Sequence, residues 1–223
     1  MKKMNISLNH LSLSDSVAKT VRKMILNGTL KPGERINQVK LAEQMEISRG
    51  PLREALRMLQ NEGLVKHETN KGTFVSTLST EDAWEIYTLR ALLESEAAQL
   101  AVDHITEKEL NQLEELLKDF QIACDEIDIE SMEMIDKEFH HIIVSASKYK
   151  RLQHMHQQLD VQLGAMFLTV TSNTPYRVNY LVDNHQLLVD VLRRKDKEEI
   201  RREFTLHYTE TLNDLIQSKQ IYS

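Results

Sequence analysis

Ser48-Arg49-Gly50-Pro51-Leu52-Arg53-Glu54-Ala55-Leu56-Arg57 decides how the first third of the chain folds. Pro51 stands where proline is tolerated, in the first turn of a helix, with Ser48 before it as N-cap. Leu52, Leu56 and Leu59 recur at i, i+4 and i+7, so they form one apolar face and leave Arg49, Arg53 and Arg57 along another. The spacing predicts a helix over 49–61, ended by Gly63. A helix that buries leucines and displays arginines from its first turns has the form of a recognition helix, whose N-terminal residues enter the major groove. Arginine there grips phosphate as a fork or reads guanine O6 and N7 bidentately. Ser48 can accept a backbone N–H as the cap or donate its proton to a phosphate.

Working outward, Ser14 to Leu26 reads as a helix with Val17, Val21, Met24 and Ile25 on one stripe, capped by Ser14 or Asp15 and stopped by Asn27-Gly28. Lys31-Pro32-Gly33 is a turn, and Val39 to Met45 a short second helix. Glu46-Ile47-Ser48 then forms the tight turn of a helix-turn-helix. Downstream, Leu64–His67 and Thr73–Ser76 are two strand-like runs joined by residues 68–72, which predicts a β-hairpin. Three short helices followed by a small hairpin describe a winged helix. Lys71 and Gly72 in the hairpin would bring a cation and a side-chain-free backbone to the minor groove.

The charge divides at the same place. The net charge is -6, yet residues 1–77 hold thirteen Lys and Arg against seven Asp and Glu. Residues 78–223 hold fifteen against twenty-seven. A basic domain over 1–77 and an acidic one over 78–223 confine polyanion binding to the first. From Asp82 onward the pattern is helical, with helices near 82–103, 106–126, 129–146, 149–170, 175–194 and 196–218, and a capping box at Thr106 and Glu109. The run from Leu168 to Pro175 is β-branched and reads as a helix end and loop. The fold class is therefore mainly α: a winged helix-turn-helix, then an all-α antiparallel bundle.

The single cysteine, Cys124, cannot form an intrachain disulfide, which suits a reducing compartment. No signal peptide and no apolar run of membrane-spanning length is visible, so a cytoplasmic, soluble protein is expected.

The second domain carries a polar set on apolar faces. Asp136 and His140, four apart, share a helix face with Met132, Phe139 and Ile143. His185 lies among Leu181, Leu188 and Leu192, and His207 follows Ile200 and Phe204. One such histidine is commonly a satisfied core residue. Three with a carboxylate make a first shell for a divalent ion: Zn above all, with Ni, Mn or Fe also suited. His141 is rotated away from this face, and His154 and His156 lack an inward carboxylate partner.

Ile25-Leu26-Asn27-Gly28-Thr29-Leu30-Lys31-Pro32-Gly33-Glu34-Arg35, then Leu41-Ala42-Glu43, Ile47 to Leu56, and Glu62-Gly63-Leu64-Val65 resemble the GntR family of transcriptional regulators. The resemblance covers residues 14–77. It implies operator contacts by Arg35, Arg49 and Arg53, with Gly72 at the wing tip. Gly50 stands where the family usually has Thr, and Lys71 where Arg is common, which affects operator preference. Glu85 to Ala98 resembles the first helix of the FCD ligand-binding domain of the FadR branch. The order Asp136, His140, His185, His207, with Asp196 before the last, resembles the metal-binding type of that domain. Lys148-Tyr149-Lys150 replaces the family's usual loop Asn, so the pocket wall is expected to differ.

The resemblance implies a small carboxylate effector in the open coordination positions, with Arg90 clamping its other end. The competing role for Arg90 is an i, i+4 ion pair with Glu94. It further implies a homodimer joined through the helical domains, binding a double-stranded operator as a ligand-responsive repressor. Two alternatives stay open: a metal hydrolase and a purely structural metal. Against the hydrolase, there is no HExxH and no evident general base, and the basic winged helix would be left without a role.

Overall fold

The computed structural model describes residues 12–77, 79–160, 170 and 175–221. Contacts divide the chain into two compact units, ending and beginning at Ser76 and Thr77.

In the first unit, α1 (Leu13–Leu26) opens with a capping box: Asp15 N–H donates to Ser12 Oγ at 3.1 Å, and Ser12 N–H donates to the Asp15 carboxylate at 2.8 Å. The cap is thus Ser12, not Ser14 or Asp15, because only Ser12 has the carboxylate three residues on. Ser14 is buried and donates to Glu54 Oε2 at 2.6 Å. Helix α2 (Gln38–Gln44) is capped by Asn37. Helix α3 spans Arg49–Asn61, the range expected from its leucine spacing. Ser48 occupies its N-cap position but makes no side-chain cap bond. The reason is Pro51: it stands at N3, where a cap normally finds its N–H, and proline has none.

Strands β1 (Val65–Glu68) and β2 (Gly72–Val75) pair antiparallel with Val65 opposite Val75. Arg35 bridges to Phe74, and Gln38 Nε2 donates to Thr73 Oγ1 at 3.0 Å, tying the start of α2 to the wing. Val21, Ile25, Leu52, Leu59 and Val75 fill the core beneath.

The second unit is helical among its described residues: α4 (Thr80–Ala101), α5 (Glu107–Asp125), α6 (Ile129–Ala146), α7 (Lys150–Leu159), a 3-10 segment (Pro175–Tyr180), α8 (Leu181–Arg194) and α9 (Lys197–Ile221). Helix α5 starts with the expected Thr106–Glu109 box. The expected helix over 175–194 begins as 3-10 structure and becomes α-helical only at Leu181, a common arrangement at helix N-termini. Of the expected helix over 149–170 and the loop from Leu168, residues 161–169 and 171–174 lie outside the described residues. Helix α4 packs against α9 and α6, and α5 against α6 and α8. Phe120, Met132, Phe139, Leu188 and Phe204 form the centre of the larger core. Tyr87, Val170, Tyr208 and Leu212 form a second cluster. The polar set projects inward from these same helices.

Candidate DNA-reading face and metal centre

Leu52, Leu56 and Leu59 are buried under α3, which turns Arg49, Arg53 and Arg57 to solvent. Among the described residues no salt bridge engages Arg35, Arg49, Arg53 or Arg57. Glu54, the nearest acid in sequence to Arg53, is taken by Ser14. Arg53 and Arg57 share a pocket of about 210 Å³ with Gln38, Gln60, His67 and Thr73. Arg35 and Gly72 line a second with Asn37 and Val39. Gln38 and Thr73 belong to both, so the start of α2 joins the recognition helix to the wing.

Gly72 has φ +117°, and a Cβ added there would lie 3.2 Å from Arg35 Nε. The bare backbone is required for its own conformation, and it also lets the Arg35 guanidinium lie close, since a Cβ would push that side chain aside by a few tenths of an ångström. Lys71 is exposed and reaches Glu68 at 3.1 Å. Ser48, freed from capping, is also exposed. These residues make a cationic face bearing the candidate contacts Arg35, Ser48, Arg49, Arg53, Lys71 and Gly72, of which Lys71 is paired with Glu68.

In the helical unit, His140, His185 and His207 each offer a ring nitrogen, and the three atoms lie within 4.8 Å of one another. Three helices, α6, α8 and α9, supply one ring each. Phe120 and Phe139 hold the His185 ring edge-on, with centroids 5.1 and 4.9 Å away. His185 Nδ1 donates to the Leu181 carbonyl at 2.7 Å, which leaves Nε2 facing Asp136 Oδ1 at 3.1 Å. His140 turns Nδ1 toward Glu94 Oε2, 2.5 Å away, and Nε2 toward Asp136 Oδ1 at 3.8 Å. In both rings the outer nitrogen is fixed by an oxygen, and the inner one points to a common centre. Metal-binding imidazoles are oriented in this manner.

His140 Nε2 and His207 Nδ1 are buried with no hydrogen-bond partner. Unpaired polar atoms of this kind are rare in native cores and call for an occupant. Burial, then the neighbouring His185 and His140 rings, push His207 well below the ordinary imidazole range, so its lone pair is available. Burial opposes charge on Asp136, but the His185 contact and the adjacent His140, His185 and Arg90 hold its carboxyl well below the usual range. Three nitrogen donors and one anionic oxygen fit a borderline divalent ion. Asp196 lies elsewhere: it is exposed and caps α9 by accepting from Glu198 and Glu199 N–H.

A second polar group lies behind His140. Arg90 is 1% exposed and forms the i, i+4 ion pair with Glu94 at 2.8 Å that competes with an effector role. Asp160 is also near the guanidinium, at 3.7 Å. His156, expected to lack an inward acid, is 1% exposed and bonds to Glu94 Oε1 at 2.7 Å. Tyr208 donates to the same oxygen at 2.6 Å. Burial opposes charge on Glu94, but His140, Arg90 and His156 hold it well below the carboxylate range. The sequence signal for His156 was Asp160, four residues on, the reverse of Asp136–His140. Glu94 comes from a distant helix and gave no local signal. His141 contacts Ser145 Oγ at 3.3 Å, away from the cluster, as its rotation predicted.

A family model for the FCD domain matches residues 85–210, and one for bacterial regulatory proteins of the gntR family matches residues 13–75. The HTH-type transcriptional regulator YdhC of Bacillus subtilis (strain 168) is 32% identical over 191 residues, 84% of each chain. McbR of Escherichia coli (strain K12) is 31% identical over 195 residues, 87% of this chain and 88% of its own. The solved structure of E. coli McbR/YncC superposes with TM-score 0.70 at 29% identity, covering 93% of this chain and 99% of that one. A GntR regulator from Rhodococcus sp. RHA1 shares the fold at TM-score 0.71 and 21% identity, covering 92% and 97%. Among the described residues no helix is long and apolar enough to cross a membrane. The arginine-bearing recognition helix, the wing and the helical domain have one common meaning: the chain belongs to the GntR family of bacterial regulatory proteins, in the form that carries an FCD domain, and is a DNA-binding transcriptional regulator, not an enzyme.

Proposed function

We propose that this regulator is a ligand-responsive repressor controlled by a small carboxylate at a divalent metal held by Asp136, His140, His185 and His207. The observation that carries this reading is the convergence of three imidazoles, two with an unpartnered buried nitrogen, beside an anionic carboxylate. Zinc suits the donor set best, and a bound ion would supply open positions for an acid. The domain over 1–77 binds duplex DNA through Arg35, Ser48, Arg49, Arg53, Lys71 and Gly72. The domain over 78–223 binds metal and effector and joins two copies, so that each winged helix takes one half of a two-fold operator. Arg90 contacts the effector from the wall behind His140. The assembly acts in the cytoplasm.

The effector acts by its differential affinity for two arrangements of the DNA modules. Support comes from the unpaired arginines on α3 and from the relatives, which include proteins named as the gluconate operon repressors of two Bacillus species. The test is a duplex-binding titration with zinc-loaded and chelated protein across small organic acids. An acid that releases DNA only from the loaded form is the expected result. DNA binding indifferent to every acid would make the metal purely structural.

A further inference from the structure

The pocket between α3 and the wing holds donors without acceptors to match. Arg53, Arg57 and Gln60 line it from α3, His67 and Thr73 from the two strands, around a volume of about 210 Å³, far more than one water needs. Arg53 and Arg57 stand at i, i+4, a spacing at which like charges destabilise a helix. The nearby acids are spent elsewhere: Glu54 accepts from Ser14, and Glu62, at the C-cap, is held by Arg22. Among the described residues no carboxylate lines the pocket.

His67 adds a donor of its own. The Gln38 amide donates to Thr73 Oγ1 at 3.0 Å, which leaves the Thr73 proton for Nδ1 of His67, 3.3 Å away. A ring that accepts at Nδ1 carries its N–H at Nε2. Thr73 is buried, so this relay is shielded, while the His67 ring is exposed at the pocket. Two guanidiniums and an imidazole N–H with no acid opposite them suit an anion.

Which anion follows from where the pocket lies. With α3 in the major groove and the wing in the minor groove, the strand that separates the grooves must pass between helix and wing. The pocket occupies that crossing. A phosphodiester there offers two unesterified oxygens, one for the Arg57 fork and one for the His67 N–H.

We infer that Arg57 and His67, beside Arg53, seat the backbone phosphate of the operator strand that crosses from the major to the minor groove. This rests on the DNA-binding reading of α3 and the wing, and adds two contacts to it. The phosphate carries no sequence information; it fixes the register of helix and wing together on the duplex.

The test uses the full chain and a duplex selected from random sequence, in which single phosphates are replaced one at a time by neutral methylphosphonate. One position in each half-site should weaken binding by the parent about tenfold. In Arg57→Ala and in His67→Ala the same replacement should cost about threefold or less, a loss of sensitivity that a merely structural role would not produce. Arg57→Ala should also weaken selected and random duplexes by the same factor and lower the salt slope by about one. His67→Gln, which keeps a donor, should restore the sensitivity. A replacement profile in Arg57→Ala identical to that of the parent overturns the pocket. So does a loss confined to the selected duplex with the slope unchanged, which makes Arg57 a base reader. Calorimetric binding of inorganic phosphate that Arg57→Ala abolishes, with the replacement profile unchanged, assigns the pocket to a free anion and overturns the strand crossing. Loss of binding in Arg53→Ala alone defeats the pocket and spares the DNA face, whereas full binding by every arginine variant ends both.

Discussion

Nε2 of His185 lies 3.1 Å from Oδ1 of Asp136, while Nδ1 of the same ring is committed to the carbonyl of Leu181. With one nitrogen fixed as a donor, the Asp136 contact is closed either by a second proton on the ring or by a cation shared with the carboxylate. A proton would leave His140 Nε2 and His207 Nδ1 unsatisfied, whereas a cation among the three imidazoles would serve these nitrogens as well.

His185→Ala and Asp136→Ala are therefore each expected to lower bound metal from about one ion per chain to a small fraction of that. Elemental analysis of the purified proteins reads the result. Metal per chain equal to that of the parent removes the altered residue from the ligand set. Because binding to the folded state alone stabilises by about 2.7 kcal/mol at a hundredfold excess over Kd, chelation should lower Tm by roughly 5–10 °C.

The exposed, unpaired Arg53 makes a separate prediction. Arg53→Ala should weaken operator binding by about tenfold or more if the guanidinium reads a base, since such contacts contribute about 1–3 kcal/mol. If it grips phosphate, all duplexes weaken alike and the salt slope falls by about one. Metal content and Tm stay at parental values in either case. A gel-shift titration with unchanged affinity would take Arg53 out of the interface.

Gly72 and Arg35 should behave as one unit. A methyl group at Gly72 meets Arg35 Nε at 3.2 Å on a backbone with φ +117°. Gly72→Ala should displace the guanidinium and weaken DNA binding about as much as Arg35→Ala. The double variant should be little worse than either single one, because residues in contact are not additive. Fully additive losses would mean that the wing glycine acts on DNA without Arg35.

The clearest local strain is at Ile127. Helix α5 ends in a Schellman motif, with Ile127 N–H donating to Cys124 O and Asp128 N–H to Ala123 O. The left-handed position is thus filled by a β-branched residue with φ 53°, 71% exposed. Ile127→Gly should raise unfolding stability by about 1 kcal/mol. A lower denaturation midpoint would show that the Ile127 side chain makes a packing contribution larger than its backbone penalty.

The contrast between helix ends also shows what was legible in the sequence. Gly63 announces the end of α3 because glycine is the default left-handed residue, whereas Ile127 and Lys148 hold the same conformation without any such sign. The leucine spacing of α3 and the Thr106–Glu109 box are local patterns, and both could be read directly. Ser48 failed as a side-chain cap for an equally local reason, the missing N–H of Pro51. The inward placement of Asp136, His140 and His185 followed from helix periodicity. The buried environment of His156 did not, because its partner Glu94 lies 62 residues away on another helix. The Arg90–Glu94 pair is local, at i, i+4, whereas the approach of Asp160 to Arg90 is a matter of tertiary distance.

Contact between duplex DNA and the arginines leading α3 is proposed to be under the control of a ligand site in the helical domain. Its most direct test is the anisotropy of a labelled duplex, selected from random sequence by the zinc-loaded protein, titrated over roughly 50–200 mM salt with competitor DNA. Saturable binding that outlasts competitor, is lost in Arg49→Ala and Arg53→Ala, and is reversed by an acid only when metal is present is the predicted result. Equal affinity for selected and competitor duplexes across that range, with no response to acid or chelator, would contradict it.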